Sequence, residues 1–189
     1  MTTTTQLPND YETVLKLDNF LVVCDVEYNF NNLGNEINFI KVDCSGNIRR
    51  NFDNLPNSVK SLEIQHSFNV DPIDFLPSDL AVLAVKDTNI TNFDNLPLNL
   101  KKLYIYGNRI DNINNLPPNL EHLAIYQCTL YNDIINLPKN LKTLYIYGSH
   151  LRNCYINEKN IILPEGCILV NDPLEKLYRP DRKIYRTRI

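Results

Sequence analysis

Tryptophan is absent from these 189 residues, methionine occurs once, histidine three times and glycine only five times. The few glycines never cluster into a loop that could cradle a phosphate, so the usual nucleotide-binding motifs are missing. There is no Cys-x-x-Cys and no spaced histidine pair, which leaves metal sites, and cofactors generally, without support. Five cysteines, Cys24, Cys44, Cys128, Cys154 and Cys167, are an odd number without close pairs. That pattern does not suit a disulfide framework; free thiols and a reducing, intracellular, cytoplasmic setting are expected. No apolar run is long enough to span a membrane, and the Met1-Thr-Thr-Thr-Thr-Gln start has no basic and apolar leader, so neither a signal peptide nor a membrane partner is expected.

What the chain does have is rhythm. Leu55-Pro56, Leu76-Pro77, Leu96-Pro97, Leu116-Pro117 and Leu137-Pro138 recur 21, 20, 20 and 21 residues apart. A unit this short cannot bury its own apolar face and must stack on copies of itself, which makes the chain a solenoid. The cleanest unit runs from Leu100 to Asn119, with apolar residues at positions 1, 4, 6, 11, 14 and 17: Leu100, Leu103, Ile105, Ile110, Ile113 and Leu116. Positions 4 and 6 alternate as in a strand, and five other units repeat positions 1, 4 and 6, from Ile37, Ile40 and Val42 to Leu141, Leu144 and Ile146. Position 14 supplies a second inward column, Phe52, Ile73, Phe93, Ile113 and Ile134. Proline at position 18 fixes φ and drives the preceding leucine towards extended backbone, so the return path is predicted to be extended rather than helical.

Position 9 reads Ser45, Ser67, Thr88, Asn108, Cys128 and Ser149. Short polar side chains or a small thiol, turned inward where the strand bends, can satisfy the backbone of a buried loop. The pattern L-x-x-L-x-I-x-x-N-x-I-x-x-I-x-x-L-P resembles the short leucine-rich repeats of secreted bacterial effectors and of giant, mimivirus-like DNA viruses, over roughly Ile37 to Leu151. An abundance of asparagine, isoleucine, lysine and tyrosine suggests an AT-rich coding sequence, in keeping with a giant-virus, amoeba-like or parasitic source. The resemblance implies an α/β-class leucine-rich-repeat solenoid that is mostly β, with a parallel concave sheet and an extended, non-helical convex side. Some effector relatives carry a ubiquitin-ligase domain after the repeats, for which this chain has no room.

Three regions follow: an N-terminal cap with a degenerate first repeat (1–36), the repeat stack (37–151), and an irregular last repeat with a basic C-terminal cap (152–189). In the first region Leu17, Phe20 and Val22 are taken as inward, with Phe30 at position 14 and Leu33-Gly34 in place of Leu-Pro. Leu21 and Val23 would then face outward and need cover from residues such as Leu7, Tyr11 and Val14, or from a partner subunit. Leu163-Pro164, 26 residues after Leu137-Pro138, marks one more boundary. The tail from Glu175 to Ile189 has six basic residues against two acidic ones, leaving the body near −7 in a chain of net charge −3. Leu174, Leu177, Tyr178, Ile184 and Tyr185 would let this tail pack on the last rung; alternatively Arg179, Arg182, Lys183, Arg186 and Arg188 form an anion-binding tail.

Function is sought on the outward strand positions 3, 5 and 7. In the first three units these are Phe39, Lys41, Asp43; Ser61, Glu63, Gln65; and Val82, Ala84, Lys86, with no obvious constellation. In the last three they become Lys102, Tyr104, Tyr106; His122, Ala124, Tyr126; and Thr143, Tyr145, Tyr147. Tyrosine joins a large apolar face to a hydroxyl at small entropic cost, which suits recognition, although strands favour tyrosine on stability grounds too. The expected contact surface is Tyr104, Tyr106, Tyr126, Tyr145 and Tyr147, with His122 and Lys102 at its edge and a dip at Ala124. Catalysis is not expected, since His122 faces outward and Cys128 inward, while His150 and Cys154 fall where the repeat breaks down and His66 stands alone. Asn89-Ile90-Thr91 matches a glycosylation acceptor, as one sequon in an asparagine-rich chain will by chance. The expectation is a non-enzymatic module that binds a protein, which for a viral source would be a host factor or a viral structural protein. Self-association as a homodimer, through an end rung or the tyrosine face, and polyanion or nucleic-acid binding by the tail are the alternatives.

Overall fold

The computed structural model describes residues 3–5, 13–17, 19–24, 28–43, 48–151, 154–155 and 161–170. They form a parallel-sheet solenoid of about six turns with nearly no helix, in keeping with a leucine-rich-repeat coil. Six five-residue strands carry positions 3 to 7 of successive units: β4 (Phe39–Asp43), β5 (Ser61–Gln65), β6 (Val82–Lys86), β7 (Lys102–Tyr106), β9 (His122–Tyr126) and β11 (Thr143–Tyr147). Each pairs in parallel with the next, position on position, so that Leu62, Leu83, Leu103, Leu123 and Leu144 stand in one row. Before them come β1 (Thr3–Thr5), β2 (Thr13–Leu17) and β3 (Phe20–Cys24), and after them β14 (Ile168–Val170). The sheet order is β1-β2-β3-β4-β5-β6-β7-β9-β11-β14.

Inward positions behave as the alternation requires. Positions 1, 4 and 6 of all six units are buried, and so is the position-14 column of Phe52, Ile73, Phe93, Ile113 and Ile134. Behind the main sheet β8 (Arg109–Ile110), β10 (Thr129–Leu130) and β12 (His150–Leu151) make a smaller parallel ladder, which β13 (Cys154–Tyr155) joins antiparallel. The return path is extended, as the prolines demand. In every unit the proline carbonyl accepts from the backbone N–H three residues on, Pro97 from Leu100 and Pro117 from Leu120, each at 3.0 Å. The turn recurs at Pro164, whose carbonyl accepts from Cys167 at 3.1 Å, and leads into β14 beside β11.

Position 9 forms the polar ladder. Ser67, Thr88, Asn108, Cys128 and Ser149 are all buried. Asn108 donates to Thr88 Oγ1 at 2.9 Å and to the Ile90 carbonyl at 3.0 Å, and accepts from the Thr88 N–H at 3.2 Å. Ser149 accepts from the Cys128 N–H at 3.1 Å and donates to the Ile125 carbonyl at 3.2 Å. Ser45 lies outside the described residues.

One expectation for the N-terminal region is corrected. Leu21 and Val23 are fully buried, opposite Ile40 and Val42, whereas Phe20 and Val22 lie on the other face. The segment Phe20-Leu-Val-Val-Cys24 is apolar at five successive positions, so alternation alone leaves its phase open, and pairing with β4 sets it. Phe20 instead stacks on Phe39 across the outer face, centroids 4.3 Å apart. Ahead of the parallel stack, β2 pairs antiparallel with β3, setting Val14 opposite Val23, and β1 pairs antiparallel with β2. Leu7 and Tyr11 lie outside the described residues.

Candidate interaction face

Strand register brings all seven predicted contact residues together. Across β7, β9 and β11, Lys102, His122 and Thr143 stand abreast, then Tyr104, Ala124 and Tyr145, then Tyr106, Tyr126 and Tyr147. With rungs about 4.8 Å apart, the block is about 10 Å wide. Strand alternation places these three rows on the face opposite the leucine core.

Within the block the residues are not equivalent. Tyr147 is 39% exposed and Lys102 is exposed, while Tyr104, Tyr106 and Tyr145 are half-buried. Tyr126 keeps only 3% of its surface and Ala124 only 1%. The expected dip at Ala124 is therefore not open, and Tyr126 is not a surface residue: a single methyl lies between two tyrosine-bearing rungs, and rings span further than the rung spacing. Tyr126 and Tyr147 pack as a tilted pair, centroids 6.4 Å apart. His122 sets Nδ1 at 2.6 Å from Thr143 Oγ1, and burial, followed by the Lys102 cation, pushes its pKa down.

Sequence reasoning missed Lys86. Its ammonium lies 5.2 Å from the Tyr106 ring centroid, extending the position-7 row to Lys86, Tyr106, Tyr126 and Tyr147. The signal was its shared position 7, one unit before the tyrosines begin. The other half of the face is cross-linked by polar contacts. Lys41 pairs with Glu63 at 3.1 Å, and Asp43 accepts from the Gln65 amide and meets His66 Nδ1 at 2.9 Å. Gln65 is consequently buried, against the expectation for an outward position. His66 does not stand alone, since its Nε2 also lies 3.8 Å from Asp87.

Cys128 is fully buried and its thiol hydrogen is directed at the Tyr126 carbonyl at 3.1 Å. Burial pushes its pKa to about 11, so it is a packing residue and not a nucleophile. His150 Nε2 lies 3.2 Å from Thr129 Oγ1 at the exposed end of the smaller ladder. Among the described residues no group of three or more histidine, cysteine or acidic side chains is placed to hold a metal ion, and no helix is long and apolar enough to cross a membrane. Asn89 of the sequon uses its side chain as a clamp, accepting from the Val70 N–H at 3.0 Å and donating to the Val70 carbonyl at 3.1 Å. A shallow recess of about 430 Å³ lies near Tyr28, Phe30, Arg49 and Asn51, but Arg49 is held by Asp71 at 2.9 Å and Asn51 by Asp53 at 3.0 Å. The tail residues Arg179, Arg182, Lys183, Arg186 and Arg188 lie outside the described residues.

No family model matches the chain, and no curated protein matches it in sequence. Among solved structures it is similar to CroV588, a giant-virus protein described as a novel circular leucine-rich-repeat protein, with a TM-score of 0.52 and 18% identity. The likeness covers 84% of this chain and 28% of that one, so this chain spans under a third of the other's length. At that identity the likeness carries the fold alone.

Proposed function

We propose that this protein is a non-enzymatic recognition module that binds another protein on the outer face of β7, β9 and β11. The carrying observation is the register that gathers Tyr104, Tyr106, Tyr145 and Tyr147 with Lys102 and His122 on adjacent rungs. Tyr126 serves as the buried support beneath them and not as an anchor. Leucine-rich-repeat coils are interaction scaffolds in general, and a rigid sheet presents aromatic anchors with little entropy left to lose. The proposed setting is intracellular, where the thiols stay reduced; for a viral chain the partner would be a host factor or a viral structural protein.

The test is capture of the partner from a host lysate. Truncating a hot-spot aromatic costs at least about 2 kcal/mol, roughly thirtyfold in affinity. Tyr106→Ala with Tyr147→Ala should abolish capture, while Glu63→Ala with Ser61→Ala should not. Retained capture by the tyrosine variant alone would place recognition elsewhere. Self-association is the second reading, favoured by the exposed Tyr147 next to the short strand β14, and the mass in solution decides it.

A further inference from the structure

Charge on the outer face is divided between its two halves. Asp43 and Glu63 are outward residues of β4 and β5, and Asp87, which follows β6, turns to His66 Nε2 at 3.8 Å. From β6 to β11 no outward strand position carries a carboxylate, and the two charged ones are cations, Lys86 and Lys102. Neither is neutralised. Lys41, Lys60, Lys101 and Lys142 each meet a carboxylate, whereas Lys86 and Lys102 meet none among the described residues. Lys86 rests on the Tyr106 ring, and Lys102 is exposed. The Lys102 charge is felt on the neighbouring rung, where it follows burial as the next cause of the lowered His122 pKa.

From these observations we infer that the partner presents a short, extended acidic segment with apolar side chains to the face from β6 to β11. This names the partner's chemistry and rests on the binding reading above. Size decides between a segment and a folded surface. Three rung steps of about 4.8 Å and four residue steps of about 3.3 Å make a plot of about 14 by 13 Å, or about 190 Å². Stable interfaces between folded proteins, a symmetric dimer of this chain included, cover about 800 Å² on each partner. An extended segment, by contrast, crosses about 14 Å in about four to five residues. Its orientation follows from the placement of charge. Lys86 and Lys102 stand at opposite ends of adjacent strands β6 and β7, so the carboxylates belong over these two strands. The apolar side chains then lie on Tyr104, Tyr106, Tyr145 and Tyr147, towards β11. Asp43 and Glu63 repel the segment from the other half of the face and set where it stops.

Selection of random peptides displayed on phage against the intact protein is the test, with the Tyr106→Ala, Tyr147→Ala variant as counter-selection. Peptides that need the two tyrosines should be rich in aspartate and glutamate beside apolar residues. One of them, synthesised, should lose at least about tenfold in affinity on Lys86→Glu with Lys102→Glu, in a variant whose circular dichroism matches wild type, and should weaken as salt rises. The same selection run on that lysine variant should enrich basic peptides instead. If tyrosine-dependent peptides emerge without acidic residues, or bind the lysine variant equally well, the inference falls while the binding reading stands. If no peptide depends on the tyrosines, the occupant is not a linear segment, and capture from lysate then separates a folded partner from an unused face.

Discussion

Position 8, the residue after the strand, adopts left-handed backbone in the five units where it is described: φ is 51° at His66, 48° at Asp87, 65° at Gly107, 49° at Gln127 and 61° at Gly148. The turn is enforced by the coil, since the N–H groups of His66, Asp87, Gly107 and Gln127 each donate to the position-7 carbonyl of the next rung, Gln127 to Tyr147 at 2.8 Å. Side chains other than glycine cost about 1–2 kcal/mol in this conformation. Gln127→Gly should accordingly raise stability by about 1 kcal/mol in chemical denaturation. Gly107→Ala should lower it by about 1–2 kcal/mol, because a Cβ would fall 1.8 Å from Asp87 Oδ1 as well as straining φ. At His122 burial and the Lys102 cation lower the folded pKa below the ordinary 6.5. The unfolded chain then binds the proton first, so this histidine's contribution is complete above the ordinary value and is lost as pH falls through the lowered one. Melting temperature should fall more steeply below about pH 6.5 in the wild type than in His122→Gln.

Each strand and its following turn act as one element whose inner side is leucine and whose bend is closed by the position-9 side chain. Leu103 is fully buried in the middle of the stack, and Leu103→Ala should cost about 2–5 kcal/mol. Asn108→Ala removes the acceptor for the Thr88 N–H and the donor to the Ile90 carbonyl, leaving both groups buried and unmet, at about 1–3 kcal/mol. Denaturant midpoints at constant slope measure both. Alkylation should show the same burial chemically: at about pH 8 the Cys128 thiol should be inert in the folded protein and the Cys167 thiol slow, since burial raises both pKa values, while denaturation exposes the two alike.

For the whole molecule, stability is a sum of rungs and rung-to-rung interfaces. Middle rungs have a neighbour on each side, whereas β14 covers only three residues of β11. Hydrogen exchange should therefore be slowest in β5, β6, β7 and β9 and fastest towards β1 and β14, with a gradient rather than a step. Uniform protection along the sheet would mean that the chain unfolds as one cooperative unit. Retention on a polyanion that falls with salt, and is lost on Arg182→Ala with Arg186→Ala, would show that the tail binds anions.

The spacing of leucine and proline determined the coil, its inward columns, the extended return path and the polar ladder, because each follows from chemistry inside one unit of about twenty residues repeated in phase. The sequence also placed the tyrosines on one face, since register in a parallel stack is the repeat itself. Only the tertiary structure decided the rest. Whether Leu21 or Phe20 turns inward depended on β4, because five successive apolar residues fit either phase. The antiparallel entry of β1 and β2, the contact of Lys86 with Tyr106, the partners of His66 and the burial of Gln65 and Tyr126 all depend on neighbours outside the unit. Exposure is a property of what lies over a side chain, and strand alternation states only which way that side chain points.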